Sequence, residues 1–371
     1  MPLPKTGTPE WKGLVSQFQG STLLERRNMA QSLGYENANT LNVLMNQRGV
    51  YHTEKSKPTK IKIGKAQDTD QPVNMVLPEI ELKTYTPWKT TKSSDPETAV
   101  LHLTDHHNGE VTVSYNGEVY RMRLDNLFRG VIRIVKLHRN MYPVNDLVIL
   151  LTGDMVHGEN VHQGAKVGSV EMGARDQVAS SLHRLAEFIL SLKQEFVTVE
   201  IHCVRGNHGR YSREAPTTSN WDMMLYDQLK IKLEHYGINV YISDSFYKMV
   251  DIQGNRFFVF HGDQFRATQG VPWFAMTKGL QSWYVTYNGF FYAVCGHFHK
   301  DDFLRINSKC KLIMGASMVT DDTFVEEVIK TSSIPCQWFW GVHKQKGVTW
   351  NYSLITDSKY FNGGTNNGVS L

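Results

Sequence analysis

Beyond residue 97 the chain repeats one pattern that constrains its fold. Apolar, strand-like runs end in small polar clusters: "AVLHLT" runs into "DHHNG", "DLVILLTG" into "DMVHGEN", "VTVEIHCVRG" into "NHGR", and "RFFVFHG" and "FYAVCGH" into further histidines. Long helical patterns such as "ARDQVASSLHRLAEFILSLKQEF" lie between some of these runs, so the segment reads as an α/β domain around a buried sheet. In such folds ligands collect beyond the carboxyl ends of the strands. Histidine is polar and titrates near neutrality, so placing it directly after buried strands is costly unless a ligand there uses it.

The strand ends deliver, in order, Asp105 and His107, Asp154 and His157, Asn207 and His208, His261, then His297 and His299. This mix of oxygen and imidazole donors suits Mn²⁺, Zn²⁺ or Fe better than Ca²⁺, which takes oxygen alone, or a sulfur-bound structural zinc. Side chains at i and i+2 of an extended segment point the same way, so Asp105 with His107, and His297 with His299, are each expected to aim two ligands at one cavity. Gly153, Gly206 and Gly296 are expected to allow tight turns where the chain leaves the sheet. Asp154 has the two oxygens needed to bridge two ions. A pair of divalent metals is expected at this edge, Mn²⁺ first, with Zn²⁺, Fe and Mg²⁺ as alternatives.

The ordered set D-x-H, G-D, G-N-H, H and G-H-x-H resembles the calcineurin-like metallophosphoesterase superfamily, over roughly Val100 to Ser317. The resemblance implies a four-layered α/β/β/α sandwich with a two-metal centre that hydrolyses phosphate esters. It also implies that Asp105, His107 and His299 bind the first metal, Asn207, His261 and His297 the second, and that Asp154 bridges them. His208 corresponds to the catalytic histidine, which protonates the leaving oxygen or stabilises the transition state. Two ions about 3.5–4 Å apart can activate a water and neutralise charge on the phosphoryl oxygens. One position departs from the pattern: an Asp or Glu usually follows G-N-H and orients the histidine, whereas Gly209 stands here. Asp263 is a candidate for that orienting role.

His157, three residues beyond Asp154, resembles the SbcD-like repair exonuclease branch, in which a histidine there contacts the substrate phosphate; Asn160 and His162 extend the same polar loop. Arg205, Arg210 and Arg213 with Tyr211 form a basic and aromatic cluster suited to a nucleic-acid backbone. The formal net charge of +4 is too small to identify such a partner by itself. Residues 20–50 read as two short helices, the first closed by Gly34 and the second running from about Thr40 to Arg48. This is a helix-turn-helix-like pattern whose polar second helix offers Asn42 and Arg48 to bases or phosphates.

The expected organisation is a helix-turn-helix-like segment over 1–50, a lysine-bearing linker over 51–98, the phosphoesterase core over 99–317, and a C-terminal extension over 318–371 with a flexible tail. In that extension Trp338 and Trp340 are expected to be buried, with base stacking as the alternative. Cys203, Cys295, Cys310 and Cys336 lack CxxC spacing and read as reduced and structural. No apolar run approaches the ~20 residues that span a bilayer, so a soluble, cytoplasmic protein is expected, with no membrane partner. The expected function is a DNA nuclease; a phosphatase or small-molecule phosphodiesterase and a non-catalytic module are the alternatives. A homo-oligomer or an ATPase partner follows by analogy alone.

Overall fold

The computed structural model describes residues 3–19, 21, 23–35, 38–50, 92–159, 170–212, 214–266, 272–321 and 334–360. The chain divides into two compact units, Met1–Tyr85 and Thr86–Leu371.

The first unit contains three helices among its described residues, α1 (Pro9–Gln19), α2 (Leu23–Ser32) and α3 (Ala38–Gln47). Only the last two were expected. Trp11 and Phe18 of α1, seven residues apart and so on one helical face, are buried with Ala30, Leu41, Met45 and Val50 in a small core of their own. Gly34 ends α2 at φ +82°, and the Tyr35 N–H donates to the Ala30 carbonyl at 2.8 Å, a left-handed helix terminus of the kind glycine favours. Most of the expected linker, residues 51–91, lies outside the described residues.

In the second unit each expected strand forms. β1 (Glu97–Leu103), β2 (Val144–Leu151), β3 (Thr198–Cys203) and β4 (Asn239–Ile242) run parallel. They are linked by α4 (Gly117–His138), α5 (Ala174–Lys193) and α6 (Trp221–Glu234). Asn116 starts α4 by accepting the N–H groups of Glu118 and Val119, both at 3.0 Å, a cap worth about 1 kcal/mol. A second sheet holds β5 (Tyr247–Ile252), β6 (Asn255–Phe260), β7 (Tyr292–Cys295), β8 (Asp302–Arg305) and β9 (Lys311–Met314) in the order β5-β6-β7-β9-β8. The helix α7 (Trp273–Thr286) separates β6 from β7 in the chain.

The period of two along each strand divides the apolar residues between cores. Ala99, Leu101 and Leu103 of β1 join the cluster that includes residues of α4, α5 and α6. Val100 joins a cluster drawn from both sheets, with Val148, Leu150, Phe257, Val259 and Val294. Phe258 and Phe260 point the other way and pack with Met276 and Leu280 of α7.

The C-terminal segment belongs to the main sheet. β10 (Cys336–His343) pairs antiparallel with β1 from Glu97↔His343 to His102↔Trp338, and β11 (Gly347–Ile355) closes the edge. Trp340 is fully buried, and the buried Trp338 donates its indole N–H to the Met314 carbonyl at 2.7 Å, so neither ring is available to stack on a base. The four cysteines are free and buried. Among the described residues no helix is long and apolar enough to cross a membrane. The expected tail, residues 361–371, lies outside the described residues.

Candidate metal centre

The carboxyl ends of β1, β2 and β3 in one sheet, and of β6 and β7 in the other, carry all the expected ligands. The backbone there is not extended. Asp105 (φ 51°), His107 (46°), Asp154 (55°), His297 (71°) and His299 (55°) all adopt left-handed conformations. A non-glycine residue in that region costs on the order of 1–3 kcal/mol and persists only where its surroundings enforce it. Here they do: the Asp105 N–H donates to the Gly153 carbonyl at 3.1 Å, the His107 N–H to the Asp154 carbonyl at 2.9 Å, and the Met318 N–H to the Asp105 carbonyl at 3.0 Å. The i, i+2 pairs therefore converge through successive tight turns, and the expected pleat geometry is corrected on this point.

Of the three expected glycines, Gly153 takes a positive φ of 94°, while the other two are required by close packing. A Cβ at Gly206 would overlap the Asp154 carboxylate, and one at Gly296 would overlap Thr104 Oγ1 and the Asp105 carboxylate.

Two ligand groups result. In the first, Asp105, His107 and His299 present atoms within 4.8 Å of one another, and all three residues are buried. His107 Nε2 lies 3.2 Å from His299 Nε2, while Asp105 Oδ1 lies 3.8 Å and 3.5 Å from those two nitrogens. In the second, Asp154, His261 and His297 meet the same criterion. His261 Nε2 lies 3.0 Å from Asp154 Oδ2 and 2.9 Å from Asn207 Oδ1, so Asn207 joins this group. His261 Nδ1 sits 2.7 Å from the Thr152 carbonyl and donates its proton there, which turns Nε2 toward Asp154 and Asn207.

Burial opposes charge on both key carboxylates, yet the imidazoles around them win. Asp105 is held well below the usual carboxylate range by His107 and His299, and Asp154 is likewise lowered by His261 and His208. Burial also opposes charge on the histidines, but the carboxylates lift His107 to about 9 and His261 to about 10. Burial, reinforced by the charge of His261, lowers His297 to about 3.

A third group sits beside these two. His107, His157 and His208 also bring ring nitrogens within 4.8 Å. The His208 N–H donates to Asp154 Oδ1 at 2.8 Å, and its Nδ1 lies 3.3 Å from the His157 carbonyl. That carbonyl is the orienting contact. Asp263, considered for that role, is exposed and accepts from its neighbour Gln264. His157 Nδ1 lies 3.2 Å from Glu110 Oε2, off the direction of a well-aligned ring N–H bond. Burial would raise Glu110, but its neighbour His157 lowers it.

Sequence reasoning missed the residues that hold this arrangement. Asp222, at the first turn of α6 and fully buried, accepts the N–H groups of Asp154 (2.9 Å), Met155 (3.0 Å) and Gly206 (2.9 Å). Asn220 caps α6 through the Asp222 N–H at 2.8 Å and donates to the Gly206 carbonyl at 2.8 Å. A Cβ at residue 209 would overlap the Asn220 side-chain oxygen, which accounts for glycine where an acid was expected. Gln177 of α5 brackets Gly158, accepting its N–H at 2.8 Å and donating to its carbonyl at 3.3 Å, and donates to the Met172 carbonyl at 2.9 Å. The one sequence signal was local: "NWD" at 220–222 reads as a helix start.

The expected substrate contacts divide. Arg205 donates to the Asp244 carbonyl at 3.1 Å; burial lowers its pKa, with Asp263 opposing and Arg210 adding to the effect. Arg210 reaches the Ala215 carbonyl at 3.5 Å. Arg213, Asn160 and His162 lie outside the described residues. In the first unit Asn42 is half-buried on α3. Arg48, exposed, donates to the Pro4 carbonyl at 2.6 Å and lies 5.1 Å over the Trp11 ring.

Residues 98–301 match the calcineurin-like phosphoesterase family, and the chain belongs to it. Metal-dependent phosphoester hydrolysis is the chemistry of that family, and the paired ligand groups agree with it. No curated protein matches the chain. Among solved structures it is similar to a dimetal phosphatase from Danio rerio, at 11% identity over 71% of this chain and 100% of that one, with a TM-score of 0.37. It is also similar to the purple acid phosphatase PPD1 from yellow lupin seeds, at 12% identity over 72% of this chain and 54% of that one, with a TM-score of 0.33. Vacuolar protein sorting 29 from Cryptosporidium parvum is a third, at 14% identity over 70% of this chain and 100% of that one, with a TM-score of 0.33.

Proposed function

We propose that the chain is a two-metal phosphodiesterase of the SbcD-like kind and that its substrate is DNA. The observation that carries the two-metal part is the pair of buried ligand groups, Asp105/His107/His299 and Asp154/His261/His297 with Asn207, built on strained backbone. The donor set fits divalent ions, Mn²⁺ first: every ligand atom is a carboxylate or amide oxygen or an imidazole nitrogen, and two imidazole nitrogens face each other at 3.2 Å beside the Asp105 carboxylate. Asp154 is the bridging ligand in this reading. Bound there, two such ions supply Lewis acidity at the phosphoryl oxygens and a water activated for attack.

The chain's own residues do the rest. His208, held by the Asp154 carboxylate and the His157 carbonyl, delivers a proton to the departing oxygen or stabilises the transition state, while His157, beside Glu110, contacts the phosphate. Arg205 and Arg210 bind neighbouring phosphates. The three apolar clusters of the second unit support the four-layered α/β/β/α arrangement, with α4–α6 outside one sheet and α7 outside the other. The first unit contributes sequence-independent DNA contact through α2 and α3, with Asn42 on its polar side.

The test is turnover by purified protein with Mn²⁺ on linear, circular and single-stranded DNA, beside a small chromogenic diester and a monoester. Cleavage of DNA and of the diester is expected. Rapid monoester turnover with no effect on any DNA would overturn the substrate and leave a phosphatase.

A further inference from the structure

Three residues past His208 the chain places Tyr211, a large aromatic that remains 43% exposed. Its ring centroid lies 4.3 Å from that of Trp221 at an angle of 41°, and Trp221 packs against the core of α4–α6. The pair is held firmly. The Trp221 N–H donates to the Gly209 carbonyl at 2.6 Å and the Tyr211 N–H to the Ser219 carbonyl at 3.1 Å, with Arg210 and Asn220 paired as an antiparallel bridge between them. Asn220 in turn holds Gly206, and Asp222 holds the backbone of both Gly206 and Asp154. The rings are thus fixed to the turns that carry Asp154, Asn207 and His208. Burial of a tyrosine against a tryptophan alone would hide both rings, whereas here the outer one stays open beside Arg210.

We propose that Tyr211, backed by Trp221, is a nucleobase-stacking subsite that holds the base of a nucleotide adjoining the phosphate being cut. This rests on the nucleic-acid reading above and deepens it. A rigid, exposed ring three residues past His208 suits the base of a nucleotide whose phosphate is cut there, because every base presents a π-face to stack. A paired base has both faces occupied by its neighbours in the duplex, so the subsite selects single strands, frayed ends or unpaired positions.

The test compares two diesters with the same leaving group: thymidine 5′-(4-nitrophenyl) phosphate, which carries a base, and methyl 4-nitrophenyl phosphate, which carries none. For Tyr211→Ala, KM for the thymidine diester should rise about 5- to 150-fold, the equivalent of about 1–3 kcal/mol per stacked base. The kcat of the thymidine diester and both constants of the methyl diester should stay within about twofold. Tyr211→Phe should behave as the wild type, since stacking needs the ring and not the hydroxyl. Equal losses on both substrates would mean that Tyr211 only supports the fold, and a Phe variant as impaired as Ala would assign the effect to the hydroxyl; either overturns the proposal, as does an unchanged KM. If the wild-type protein turns over the methyl diester but neither the thymidine diester nor DNA, the nucleic-acid reading fails first and the subsite with it.

Discussion

Asp222 offers the sharpest structural prediction, because two opposing effects can be weighed. Its carboxylate accepts three backbone N–H groups, two on Oδ2 from Asp154 and Gly206 and one on Oδ1 from Met155. Bonds to a charged acceptor contribute about 1.5–3 kcal/mol each, so losing all three costs about 4–9 kcal/mol. Burial and the nearby Asp154 charge outweigh those bonds in the titration and raise Asp222 from 3.8 to about 6, so removing the buried carboxyl relieves part of the cost. Asp222→Ala nevertheless leaves three buried N–H groups unpaired, at about 1–3 kcal/mol each, and a net loss of about 1–6 kcal/mol is expected in urea unfolding. Asp222→Asn can keep the two bonds on one oxygen and orphans a single N–H, so its loss should be about 1–3 kcal/mol. Because two of the three amides flank the proposed bridging ligand, metal content should fall in the same order. An Ala variant with an unchanged unfolding midpoint and full metal content would refute the reasoning.

Four further outcomes are expected. Because His107 and His261 titrate near 9 and 10 without metal, loading ions at pH 7 should release about two protons per chain. Titration calorimetry in buffers of different ionisation enthalpy checks this; no buffer dependence would count against those residues as ligands. The same raised values stabilise the metal-free fold fully below about pH 6.5 and cease to do so as pH rises through 9 to 10, so chelator-treated protein should lose thermal stability over that alkaline window. Gly209→Ala should cost at least about 1–3 kcal/mol, since its Cβ displaces the Asn220 cap and orphans buried groups; a neutral effect in urea unfolding would show the contact to be soft. Gln177→Leu should leave metal content intact but lower diester turnover, as the Gly158 turn that follows His157 loses its two amide bonds and Met172 a third; unchanged kinetics would remove Gln177 from the site.

The strand-end clusters were legible because their signal is local: an apolar run stops and the next few side chains are Asp, Asn and His. Asp105, His107, Asp154, His261, His297 and His299 lie together for that reason. The left-handed backbone at five of these positions was not legible, since histidine and aspartate give no sign of it without the turns that enforce it. Asp222 and Gln177 were missed because their partners lie 68 residues (Asp154) and 19 residues (Gly158) away in the chain and each looks like an ordinary helical residue. Arg48, expected as a nucleic-acid contact from its residue type, is exposed and also lies over the Trp11 ring, a packing partner the residue type gives no sign of. The helix α1 escaped because its apolar residues, Trp11, Leu14, Val15 and Phe18, make only a short helical pattern that Gly13 interrupts.

Two ions sharing Asp154 are the core of the proposed site, and metal stoichiometry tests that most directly. Wild-type protein dialysed against Mn²⁺ should hold two ions per chain by elemental analysis. Asp154→Asn should weaken both sites together, because the shared ligand loses its charge, and diester hydrolysis should fall with the metal. An Asp154→Asn protein that still binds two ions and retains its activity would contradict the bridged centre.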